Sequence, residues 1–294
     1  MMTALIVALF SGGIGPAEIH LASARLTGDE ANEAKQNSAP EYTPALVDFG
    51  LFQPMQFPQG NWNPAGFEFE NVWFTSKDGT RINGWFFEAQ NPRAVILYAH
   101  GNAGNVTHRA RLMRYLQTEQ QISVLVFDYR GYGRSNGIPT QGGMLDDARA
   151  ARAFLAKKTS AESSDLVLMG RSMGGAVVIQ LAAEKAPKGL IIESTFTSLR
   201  DVADYLVPGS KTLVSADDLN SLKRITEYSG PLLHSHGAAD RVIPYSQGRN
   251  LFTNAISLDK QHIRISGGTH NSQLPKSYYR ALSQFVDKCN ALSK

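Results

Sequence analysis

The sequence predicts an α/β domain: a mostly parallel eight-stranded sheet with helices on both faces, led by an antiparallel hairpin and carrying a small helical cap. Three observations predict it. From residue 70 onward, short continuous apolar runs alternate with helix-length segments, the rhythm of βαβ units. The first two runs are joined by Lys77-Asp78-Gly79-Thr80, a turn signal that makes a hairpin rather than a crossover. One connection, residues 195–230, is too long for a simple loop and reads as an inserted cap.

The hairpin is read over 72–74 (VWF) and 82–87, with Trp73 and Trp85 expected in the core. The remaining strands are read over 94–99 (AVILYA), 123–128 (SVLVFD), 166–170 (LVLMG), 189–193 (GLIIE), 231–236 (PLLHSH) and 262–266 (HIRIS). Such unbroken apolar runs suit parallel strands buried on both faces. Helices are expected over 105–117, 141–157, 174–185, 245–256 and 276–291. Within the insert, Ser198-x-x-Asp201 and Ser215-x-x-Asp218 each have the pattern of a helix start. Leu199, Val202 and Leu206 give the first of these helices an apolar face.

Composition narrows the function classes. The chain has 294 residues, 43% hydrophobic and 19% charged, enough for one domain of about 250 residues behind an N-terminal extension. The net charge of +3 comes from intermixed basic and acidic residues. Arg109, Arg111 and Arg114 on one expected helix read as a solvated face, so no nucleic-acid stripe is present. A single cysteine, Cys289, excludes an intramolecular disulfide, a C-x-x-C pair and a cysteine zinc site. Residues 1–45 read as a signal-like or tethering segment ahead of a domain over 46–294. The apolar run 4–10 is too short to span a membrane. Ala22-Ser23-Ala24 offers a cleavage pattern, yet no Lys or Arg precedes Arg25. Export or membrane association through the N-terminus and a cytoplasmic location both stay open, as does the oligomeric state.

Four segments carry chemistry. Gly170-Arg171-Ser172-Met173-Gly174 fits G-x-S-x-G, follows one expected strand and opens a helix. A serine on such a strand-to-helix turn is held in a strained backbone, needs small neighbours, and stands at a helix N-terminus that favours developing negative charge. His100-Gly101-Asn102-Ala103-Gly104-Asn105 ends an earlier strand, where the backbone N–H of Asn102 can join that of Met173 as an oxyanion hole. His100 itself is read as structural. Asp240 follows the seventh strand and His270 follows the last, so Ser172 becomes the nucleophile, His270 the base and Asp240 the acid. Glu193, at the end of the preceding strand, is the alternative acid.

Two segments are set aside. Asp128-Tyr129-Arg130-Gly131-Tyr132-Gly133-Arg134-Ser135 lacks the third glycine of a dinucleotide loop and is read as a turn at the pocket rim. His234-x-His236 has no third ligand in view and reads as strand packing rather than metal binding.

Taken in order, HGNAGN, DYRGYGRS, GRSMGG, ESTFTSLRD, HGAADRVIP and GGTHN resemble the α/β-hydrolase superfamily. The resemblance covers about residues 65–290. It points to the serine-aminopeptidase-like branch, which includes bacterial abhydrolases and eukaryotic abhydrolase-domain protein depalmitoylases. It implies a triad at Ser172, Asp240 and His270, a small cap, and no metal or organic cofactor. The expectation is a serine hydrolase that cleaves carboxylic esters or thioesters of a small-molecule or acylated substrate. Amide or peptide cleavage, and a non-catalytic binding role for the same fold, are the alternatives.

Overall fold

The computed structural model describes residues 52–217 and 219–292; the segment 1–45 read as a tether lies outside them. The chain enters through Gln53–Pro54, which pairs in parallel with Ala103–Gly104. The hairpin follows as β1 (Glu70–Thr75) and β2 (Arg81–Phe87), paired antiparallel. Then come β3 (Ala94–Ala99), β4 (Ile122–Phe127), β5 (Val167–Arg171), β6 (Gly189–Glu193), β7 (Leu232–Gly237) and β8 (Lys260–Ile265). These eight strands lie in the order β8-β7-β6-β5-β3-β4-β2-β1, and every neighbouring pair from β4 to β8 is parallel.

The unbroken apolar runs are the central strands: all six residues of β4 and all five of β6 are buried. At the sheet's edge, β1 alternates, with only Val72 and Phe74 buried. That pleat corrects the reading of Trp73, which faces outward at 37% exposure beneath the guanidinium of Arg81, while Trp85 is 1% exposed in the core.

Helices cover both faces: α1 (Ala110–Thr118), α2 (Gln141–Lys158), α3 (Met173–Glu184), α4 (Leu199–Leu206), α5 (Ser221–Ile225), α6 (Tyr245–Asn254) and α7 (Lys276–Ala291). The expected helix over 105–117 is broken. Asn105 accepts the N–H of Thr107 and opens a 3₁₀ turn, Val106–Arg109, before α1 begins.

The insert is a small cap. Ser198 accepts the N–H of Asp201 at 3.1 Å and starts α4, as the pattern required. Ser215 starts no helix among the described residues; it accepts the N–H of Asp217, and its expected partner Asp218 lies outside them. The second cap helix instead begins after Asn220, whose side chain accepts the N–H of Lys223.

The rim turn is more buried than its reading implied. Arg130 bonds Asp147 of α2 and Asp78 of the hairpin turn, both at 2.8 Å, so the turn is bolted to two neighbours.

Candidate active site

Ser172 occupies the bend between β5 and α3 with φ 55° and ψ −120°, a conformation that L-residues with a Cβ avoid. The sequence permits it by removing side chains around the bend. A Cβ on Gly170 would lie 2.2 Å from the carbonyl oxygen of Gly174, and one on Gly174 would lie 2.0 Å from that of Ala99. The Ser172 N–H donates to the Glu193 carbonyl at 2.8 Å, which ties the bend to the end of β6.

His270 reaches the serine from the loop after β8, with Nε2 3.1 Å from Ser172 Oγ. Its Nδ1 is 2.8 Å from Asp240 Oδ2. A carboxylate only accepts, so Nδ1 carries the proton and Nε2 presents its lone pair to the serine hydroxyl. The loops bearing the two residues are zipped together: Ala238 N–H donates to Ile265 O and Ala239 N–H to Gly268 O, both at 2.9 Å. Gly237 allows this contact, since a Cβ there would stand 2.3 Å from Gly268 O.

Asp240 is buried and its other oxygen, Oδ1, accepts the N–H groups of Val242 and Ile243 at 2.9 Å each. Burial opposes its ionisation, but donation from His236 and His270 and the Ile243 N–H outweigh it and hold the carboxyl well below the usual range.

Glu193, the alternative acid, is directed elsewhere. Its Oε1 accepts the hydroxyl of Tyr278, and its Oε2 stands 3.9 Å from the guanidinium of Arg171. Burial raises its pKa above the ordinary carboxylate value, with Arg171 and Tyr278 opposing. Arg171 in turn donates to the carbonyl of His270.

The His100–Asn105 loop lies beside the serine: a Cβ on Gly101 would be 3.5 Å from Ser172 Cβ. Asn102 is fixed through its side-chain oxygen, which accepts the Tyr132 hydroxyl at 2.8 Å and the Gln53 N–H at 3.1 Å. Met173 is the first residue of α3, so its N–H has no intrahelical acceptor. His100 is fully buried; its Nδ1 lies 2.6 Å from the Gly101 carbonyl and its Nε2 3.6 Å from Asp128, in keeping with a structural role. Asp128 itself accepts the Val106 N–H at 2.8 Å.

Five residues around this constellation escaped sequence reasoning: Gln53, Tyr132, Arg171, His236 and Tyr278. Tyr132 and His236 sat inside segments already singled out, four or fewer residues from a conspicuous neighbour. Gln53 and Tyr278 had no local signal. Among the described residues no group of three or more His, Cys, Asp or Glu is placed to hold a metal ion, and no helix is long and apolar enough to cross a membrane.

The strand order and the elbow at Ser172 are those of an α/β-hydrolase fold, and comparison with known proteins agrees. Residues 90–217 match the family described as serine aminopeptidase, S33. The chain is similar to YfhR of Escherichia coli K12, with 37% identity over 71% of this chain and 76% of YfhR. It is also similar to the α/β hydrolase domain-containing protein WAV2 of Arabidopsis thaliana, with 32% identity over 75% of this chain and 79% of WAV2. A solved esterase of Pyrococcus furiosus superposes with a TM-score of 0.67 at 19% identity, covering 81% of this chain and 97% of the esterase. The chain belongs to the α/β-hydrolase superfamily and is a hydrolase.

Proposed function

We propose that the protein is a serine hydrolase that cleaves carboxylic esters or thioesters through an acyl-enzyme on Ser172. One observation carries the reading: the unbroken series Ser172 Oγ, His270, Asp240, at 3.1 and 2.8 Å, on a strained serine at a helix N-terminus. His270 Nε2 takes the hydroxyl proton as Ser172 Oγ attacks the acyl carbonyl. The oxyanion is received by the backbone N–H groups of Asn102 and Met173. The proton then passes from His270 to the departing alcohol or thiol. Water, deprotonated by the same nitrogen, releases the acid and restores the serine. Asp240 stays ionised throughout; it holds the His270 tautomer and balances the imidazolium.

The name of the matching family favours a second reading, cleavage of an aminoacyl amide. A small cap that leaves one end of the substrate outside suits either. The test is fluorophosphonate labelling of wild type and Ser172→Ala, run beside a panel of acyl esters, thioesters and aminoacyl amides. Wild type should label and the variant should not, with ester turnover reduced by orders of magnitude in a variant that melts like wild type. Normal turnover by pure, folded Ser172→Ala would falsify the assignment, and fastest turnover of the amides would promote the peptidase reading.

A further inference from the structure

Behind the catalytic pair lies a second imidazole. His236 stands on β7, four residues before Asp240, and is fully buried. Its Nε2 is 2.9 Å from the carbonyl oxygen of Ile243 and 3.4 Å from Asp240 Oδ2. A carbonyl oxygen only accepts, so Nε2 must carry the proton and Nδ1 must not. The other edge of the ring agrees: Nδ1 has no hydrogen-bond partner and abuts Gly248 of α6, where a Cβ would lie 2.0 Å away. A proton on Nδ1 would be buried against a backbone carbon with nothing to accept it. The ring is therefore clamped in one tautomer, with its N–H on the Ile243 carbonyl and its Nε2 3.4 Å from the carboxylate oxygen that receives His270.

We propose that His236 is a positioning residue of the triad: its Nε2–H shares Asp240 Oδ2 with His270, sets the rotation of the carboxylate and limits the negative charge presented to the catalytic imidazole. This rests on the proposed catalysis at Ser172. Val242 and Ile243 donate to Oδ1, and the His236 Nε2–H at 3.4 Å from Oδ2 is the further donor this proposal adds before His270 is counted. A carboxylate that accepts more donors is a weaker base. The low pKa of Asp240, for which donation by His236 is a cause, agrees.

Other titratable and charged groups surround His236. They are His234 on the same strand, at 6.1 Å between ring centroids, and Tyr245 of α6, edge-on at 5.9 Å. From β8 come His262 and Arg264, the latter in register with His236 and set over the Tyr245 ring. His270 meets Asp240 and Ser172 through its ring and Arg171, backed by Glu193, through its carbonyl.

The experiment is a pH–rate profile on an activated ester for wild type, His236→Phe and His236→Gln. Phenylalanine keeps the ring and deletes the N–H; glutamine restores an N–H near the Nε2 position. His236→Phe should lose roughly 10- to 100-fold in kcat, the worth of a hydrogen bond to a charged group, with KM little changed. Its acidic limb should move to higher pH, because an Asp240 with fewer donors holds the His270 imidazolium more firmly. His236→Gln should recover both. An unchanged kcat and limb in folded His236→Phe overturns the proposal, as does a loss of kcat with an unmoved limb and no recovery in His236→Gln. Should His236→Phe not fold, the ring nitrogens of wild type still decide by NMR. At neutral pH the ring should be the Nε2–H tautomer, and an Nδ1–H form overturns the proposal. Fluorophosphonate labelling of wild type, run in parallel, separates the two failures: if Ser172 does not label, the triad reading falls first.

Discussion

On the proposed mechanism, Ser172, His270 and Asp240 are the residues at which a small change of position should matter most, because proton transfer demands heavy-atom contacts near 3 Å. The acid is the sharpest test. Asp240→Asn leaves Nδ1 of His270 facing an amide that can donate back, so the imidazole turns to the wrong tautomer and kcat should fall on the order of 10⁴-fold. Glu193→Gln should cost far less, since its carboxylate meets Tyr278 and Arg171 rather than the imidazole. Steady-state kinetics of the two variants check this, and a larger loss in Glu193→Gln would transfer the acid role. The serine, histidine and aspartate were legible because each sits in a short glycine-flanked segment directly after a strand. Their partners were not. Arg171 and Tyr278 meet Glu193 through side chains from three elements, a convergence that no local pattern announces. Tyr132 hid within a segment read as a turn, because reading a turn tells nothing of which hydroxyl its tyrosine will reach.

At the scale of elements, the central strands and most helices could be read because burial on both faces writes itself as unbroken apolar sequence. The edge could not. Trp73 belongs by composition to a core and by pleat to the surface, and only pairing with β2 decides which face it takes. The break between Asn105 and Ala110 could not be read, since a single asparagine can open a 3₁₀ turn as readily as an α-helix. The cap shows how one apolar stripe divides its work. Leu199 and Val202 are buried, at 5% and 2% exposure, whereas Leu206 and Val207 are half-buried at the far end of α4. Docking therefore falls to the first pair, and on the proposed function the second is the pair left to meet an acyl chain. Val202→Asp should bury an unpaired carboxylate and lower Tm by several degrees. Leu206→Asp should leave Tm nearly unchanged but flatten the acyl-chain-length profile. In wild type that profile should rise by up to about fourfold in kcat/KM per methylene, equivalent to about 0.8 kcal/mol, until the site is full. Calorimetry with an ester series checks both. A steep profile retained in Leu206→Asp would remove α4 from the acyl site.

For the molecule as a whole, the order of strands is what brings distant segments together. Ser172 and His270 are 98 residues apart, yet the ends of β5, β7 and β8 open at one edge of one sheet. Which strand neighbours which was expected only in outline from the βαβ rhythm, because that order is settled by packing across the sheet rather than by any single run. The same packing buries a layer of imidazoles between β7, β8 and α6. His234 Nδ1 lies 2.7 Å from His262 Nδ1, and His262 Nε2 lies 2.8 Å from the Tyr245 hydroxyl. Two Nδ1 atoms can share one proton but not two, so the layer is built for neutral rings. Burial lowers both pKa values below 6.5, strongly for His234, with neighbouring histidines adding to the effect. A base whose pKa is depressed by folding adds stability above its unfolded value and loses it as pH falls towards the folded one. Wild type should therefore begin to lose Tm below about pH 6.5, before ordinary carboxylates titrate. The double variant His234→Leu/His262→Leu, whatever its absolute Tm, should show a flatter Tm between pH 7 and 5. Parallel curves for the two proteins would mean that these histidines bind protons equally in the folded and unfolded states and that acid sensitivity arises elsewhere in the fold.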